Sequence, residues 1–277
     1  MGNRYKMEEL ENDNEMSFLG HLEELRWRLV KSAIAIVIVA IGLFIYTGPI
    51  VKVVYLRMAD SSFPTYRFFC WLSNVVGMGD ALCGVDIPIE WQAFEMMSQF
   101  STNMYFAIVG GIIVTFPFLF YQLWQFMKPA LKDSELNMSK GIVFWSSLLF
   151  FLGVLFGYYV VSPLTVQFFG TFQITEEIKN NITISSYLSL ITTTTLFSGL
   201  FFELPIFIYL FTKMGVIGSE MLKKFRKHAL IVILILSAII TPPDIISQVI
   251  VTFPILIMYE VGIYVAKRVE KKRKEDN

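Results

Sequence analysis

Residues 29–46 read LVKSAIAIVIVAIGLFIY, and this run decides the fold. Eighteen residues with a single lysine near the start reach about 27 Å as a helix, close to the ~30 Å of a bilayer's hydrocarbon. Just upstream, Ser17-Phe18-Leu19-Gly20-His21-Leu22-Glu23-Glu24-Leu25-Arg26-Trp27-Arg28 runs straight into it. Phe18, Leu22, Leu25 and Leu29 recur at helical spacing on one face, with His21, Glu24 and Arg28 on the other. Such a segment can lie on a membrane surface and present carboxylates to a basic visitor, because a carboxylate accepts a two-point fork from a guanidinium.

Further along, residues 100–126, 142–161, 187–211 and 245–266 are also long and apolar enough to cross. Residues 229–240 form a shorter apolar run of about 18 Å. Thr241-Pro242-Pro243-Asp244 then turns the chain into the last span, since consecutive prolines stop a helix. The expectation is an all-α polytopic membrane protein of six transmembrane helices, the last two joined by a short outer hairpin. Composition agrees: 55% of residues are hydrophobic and 17% charged, with mean hydropathy +0.59. No removable signal peptide is expected, because the first 28 residues are polar and acidic.

Lysine and arginine set the expected orientation. Nineteen of the 23 fall on the side of the termini, including the run from Lys267 to Lys274, and only Lys52, Arg57, Arg67 and Lys179 lie opposite. Both termini are therefore expected in the cytoplasm. The chain reads as one membrane domain over 1–277, with an amphipathic cytoplasmic segment 1–28, a long outer loop 47–99 and a basic tail 267–277. Cys70 and Cys83 share that outer loop, on the oxidising side, and make a candidate disulfide.

Glu203 is the strongest purely physical pointer. It interrupts the apolar run 196–211, where an ionisable group is costly unless it faces protein, water or a partner. Pro205 nearby removes a backbone donor, so a neutral Glu203 capping the kink is the competing reading. Enzyme readings fare poorly: there are two histidines and two cysteines, on opposite sides of the membrane, and no phosphate loop or serine elbow. No metal and no cofactor are expected.

His21-Leu22-Glu23-Glu24-Leu25-Arg26-Trp27-Arg28 resembles the amino-terminal signature of the TatC family, the receptor and core subunit of the twin-arginine protein translocase. The likeness continues through Phe116 to Phe126 with Lys128-Pro129-Ala130-Leu131 and Glu135, through Phe202-Glu203-Leu204-Pro205, and through residues 236–248 around Thr241-Pro242-Pro243-Asp244. No family pattern is legible in residues 55–91.

The resemblance implies a Sec-independent translocase subunit of the bacterial inner membrane. It would recognise twin-arginine signal peptides and move folded cargo using the protonmotive force. Glu24 and Glu135 fall on the family's signal-peptide positions, with Leu22, Arg26, Phe126 and Pro129 in support. Glu203, Thr241, Asp244 and Gln248 fall where TatA/TatB-type single-span subunits are met. Self-association in a larger complex is implied too, with the bilayer and no nucleic acid as environment. An intrahelical Glu24–Arg28 pair is the rival reading of Glu24, and a helix-start charge that of Glu135. Glu260 reads as a snorkelling side chain. The alternative function is a small secondary transporter or proton channel with Glu203 as carrier carboxylate, although no internal repeat supports it.

Overall fold

The computed structural model describes residues 18–77, 79, 83, 92–127, 139–175, 182–240 and 245–275. Among these, the architecture is helical, without strands; the only extended pairing is an isolated bridge between Gln92 and Thr183. Five helical segments are long and apolar enough to cross a membrane.

Helix α1, Phe18–Ile45, carries the charged segment and the first apolar run as one unbroken helix of 28 residues. The surface-lying arrangement allowed by its amphipathicity is thus not adopted. The apolar side faces outward, with Leu22, Leu29, Ile34, Ile38, Ile41 and Ile45 all exposed, as expected where lipid is the solvent. Its neighbour is α4, Ser98–Met127.

Between them the chain makes α2, Thr47–Ile50, a π-helical turn, Val51–Tyr55, a 3₁₀ turn, Leu56–Ala59, and α3, Pro64–Val76. The loop expected on the outer side is therefore helical over most of its described residues. Two signals in the sequence mark α3: Pro64 at its first position and Gly77 just past its end, at φ 80°. Cys70 of α3 is disulfide-bonded to Cys83.

The third long segment is α5, Ser139–Phe156, a π turn, Gly157–Val161, and α6, Ser162–Thr171. It runs ten residues beyond the end expected at Val161. Nothing in residues 162–171 is polar enough to stop a helix, and Pro163 directly follows the π turn, whose wider winding accommodates its missing N–H.

The fourth segment is broken. Helix α7, Ile184–Phe202, ends at Glu203, and α8, Leu204–Lys213, begins directly after it with Pro205 in its first turn. Then follow α9, Ser219–Lys224, α10, Arg226–Ile240, and α11, Ile245–Glu275. At 15 residues α10 reaches roughly 22 Å and packs against α11.

Helices α5 and α7 cross closely because both are stripped to small residues at the contact. A Cβ on Gly153 would lie 2.6 Å from the Ser198 carbonyl oxygen, and one on Gly157 would lie 2.7 Å from Ser198 Cβ. Gly153 and Gly157 stand four apart, the small-xxx-small spacing that lets membrane helices approach. Phe150 and Phe116 stack beside this crossing with centroids 3.6 Å apart, tying α4 to α5.

A broken helix with a sealed carboxylate

Glu203 caps the end of α7 with φ −77° and ψ −8°, and its carbonyl accepts from the N–H groups of Ile206 and Phe207 at 2.9 and 3.1 Å. The break follows from Pro205, which has no N–H to offer the preceding turn. It leaves Glu203 only 1% exposed. Ser146 Oγ of α5 donates to Glu203 Oε2 at 2.8 Å, while Oε1 has no donor in hydrogen-bonding geometry among the described residues. A buried oxygen left open in this way is a costly arrangement, and such groups concentrate where something else is to be met.

A second polar site lies near the start of α1. Arg28 Nε donates to Glu24 Oε1 at 2.9 Å and its NH2 group donates to the same oxygen. Its NH1 group reaches Gln122 Oε1 of α4 at 3.4 Å, a long bond. The pair is about three-quarters buried, with side-chain exposures of 22% for Arg28 and 25% for Glu24. Hence the polar face of α1 turns toward protein and the leucine face away. The intrahelical pairing that competes for Glu24 is formed.

The other positions singled out in the sequence are less constrained. Leu22 and Arg26 are exposed, and Phe126 is half-buried near the end of α4. Gln248 Nε2 donates to the Leu234 carbonyl at 3.3 Å, joining α11 to α10. Glu260 pairs with Arg226 at 2.6 Å at the surface, where a snorkelling side chain was expected. Pro129, Glu135, Thr241 and Asp244 lie outside the described residues, so Glu24 is not seen beside Glu135. Among the described residues there is no group of histidine, cysteine and carboxylate that would hold a metal.

Three contributors escaped sequence reading: Ser146, Gln122 and the Gly153–Gly157 pair. The glycine spacing is visible in the sequence. Ser146 was not distinguishable from Ser147, which bonds only its own helix at the Val143 carbonyl.

Fold and site together define a multi-pass helical membrane protein built around a carboxylate enclosed at a helix break. The family model for the Sec-independent protein translocase protein (TatC) matches residues 20–254, and the chain belongs to that family. Its role is protein transport. The Sec-independent protein translocase protein TatC of Blattabacterium sp. subsp. Periplaneta americana (strain BPLAN) is 39% identical, covering 94% of this chain and 98% of its own. TatCy of Bacillus subtilis (strain 168) is 31% identical over 95% and 94%. A crystal structure of the twin arginine translocase receptor TatC superimposes with a TM-score of 0.69 at 28% identity, over 89% of this chain and 99% of that one.

Proposed function

We propose that the protein is the receptor subunit of a twin-arginine translocase, binding signal peptides with paired arginines and passing folded cargo across a bacterial inner membrane. Glu24 and Glu135 are the carboxylates that take the arginines, with Leu22, Arg26, Phe126 and Pro129 shaping the site. Glu203, Thr241, Asp244 and Gln248 meet single-span TatA/TatB-type subunits. The chain crosses six times as one membrane domain, α10 being the short span, with both termini cytoplasmic, a basic tail 267–277 and residues 47–99 outside.

The observation that carries this reading is the match of residues 20–254 to the TatC family model, a span that includes Glu24 and Glu135; the Glu24–Arg28 fork is the rival pairing and supports the reading only through the chemistry of that carboxylate. A carboxylate at this position already holds a guanidinium through two donors, the chemistry a signal arginine would need. The experiment is crosslinking of a peptide with paired arginines and an apolar stretch to the full chain and to the Glu24→Ala, Glu135→Ala double variant. Loss of crosslinking in the double variant, and with a lysine-substituted peptide, is expected. Unchanged capture would sink the assignment.

A further inference from the structure

A cavity of about 710 Å³ lies between α1, α4, α5 and the turns following α2. Its two ends differ in chemistry. The rim carries Arg57, Asp60 and Ser62, while the apolar wall is Ile113 and Val114 of α4 and Val154 of α5, with Val114 exposed on the outward side. Arg57 and Asp60 are exposed. Asp60 Oδ1 accepts from the Ser62 N–H at 2.8 Å. That bond, helped by the nearby Arg57 charge, holds the carboxyl below its ordinary range and so keeps it anionic.

We propose that this cavity holds one phospholipid with a phosphoethanolamine headgroup, its phosphate on Arg57, its ammonium on Asp60 and an acyl chain between Val114 and Val154. A rim with one cation alone would select an anionic lipid; a rim with both charges matches a zwitterion. The primary ammonium of ethanolamine donates hydrogen bonds to a carboxylate, which a quaternary choline does not. A phospholipid brings a phosphate and an ammonium to the charged rim and a slender apolar chain to the apolar wall. Tyr158 and Tyr159 line the same cavity, and aromatic rings of this kind sit at the headgroup level of membranes.

The experiment is native mass spectrometry of the detergent-purified full chain, titrated with phosphatidylethanolamine, phosphatidylcholine and phosphatidylglycerol of identical acyl chains. One phosphatidylethanolamine per chain is expected, saturating at a concentration about threefold to fivefold lower than the other two. Arg57→Gln weakens all three lipids, and Asp60→Asn removes the preference over phosphatidylglycerol; both positions are exposed, so folding is unaffected. Phosphatidylethanolamine with a photoreactive acyl chain labels Val114 or Val154, and Val114→Trp reduces that labelling. Equal binding of the three lipids, adducts unchanged in Arg57→Gln, or labelling confined to sites away from 114 and 154 would overturn the proposal. So would a photoreactive residue at 114 that captures only protein.

Discussion

Ser146 and Glu203, from two helices that cross at glycines, share a hydrogen bond of 2.8 Å in the closed interior. It reaches a side chain that is 1% exposed. Ser146→Ala removes this donor from the buried carboxyl, which should cost about 1–3 kcal/mol. Thermal unfolding in detergent reads that loss. Glu203→Gln keeps the shape and can still accept from Ser146, whereas Glu203→Ala removes both. If hydrogen bonding is the requirement, crosslinking to a single-span subunit survives in Gln and fails in Ala; if ionisation is the requirement, it fails in both.

The same crossing makes Gly153 intolerant of growth. A methyl group there would stand 2.6 Å from the Ser198 carbonyl and 2.8 Å from Gly199 Cα, both main-chain atoms that cannot step aside singly. Gly153→Ala is expected to separate α5 from α7 at a cost of about 1–3 kcal/mol, again read by thermal unfolding. Gly141, with open space around it, is the control: Gly141→Ala should be neutral or slightly stabilising through helix propensity.

Spans were legible because lipid demands length and apolarity, and both are local properties. The break at Glu203 was legible for the same reason, since Pro205 and a mid-span carboxyl are each conspicuous alone. What stayed hidden depends on which face meets which helix. Glu24 and Arg28 looked surface-directed, yet Gln122, ninety-four residues from Arg28, turns that face inward. In the loop after α1, Val51–Ala59 stayed hidden because it adopts π and 3₁₀ turns with no marked period of its own, whereas α3 does carry Pro64 and Gly77 at its ends.

Tyr66 fastens that outer layer to the spans. Its hydroxyl lies 3.1 Å from the Met58 carbonyl and 3.0 Å from the Pro163 carbonyl, so one donor serves two acceptors on separate elements. Tyr66→Phe should cost about 0.5–1.5 kcal/mol. Burial raises the phenol above its ordinary value of 10.0, because the phenolate would be poorly solvated. A raised folded-state value means the contribution is whole below pH 10 and declines as pH climbs above it. Alkaline unfolding of the wild type in detergent should therefore set in earlier, relative to neutral-pH stability, than that of Tyr66→Phe.

Cys70 and Cys83 tie the middle of α3 to a segment whose Cys83 carbonyl accepts from Gln167 Nε2 of α6 at 3.1 Å. In protein alkylated rapidly on lysis, unreduced proteolytic fragments containing the two residues should run as one species and separate on reduction. Two alkylated thiols would reject the bridge.

If Glu24 takes a signal arginine, as proposed, Arg28 already stands in its place, since both of its donors to Glu24 end on Oε1. Binding of a paired-arginine peptide then requires either that Arg28 yield or that the peptide use the carboxylate's other oxygen. These alternatives differ in an observable way. Under displacement, Arg28→Gln frees the carboxylate and tightens peptide binding by roughly twofold to fivefold, the worth of a partly exposed ion pair. Under shared use, the same change leaves binding unaltered or weakens it, because Arg28 then orients Glu24 through Gln122. Fluorescence titration of a labelled peptide against the wild type and Arg28→Gln distinguishes them. Displacement is the expected outcome, because a carboxylate already satisfied by one guanidinium offers a second one less. A Gln122→Leu variant, which removes the outer anchor of Arg28, should shift binding in the same direction and by a smaller factor.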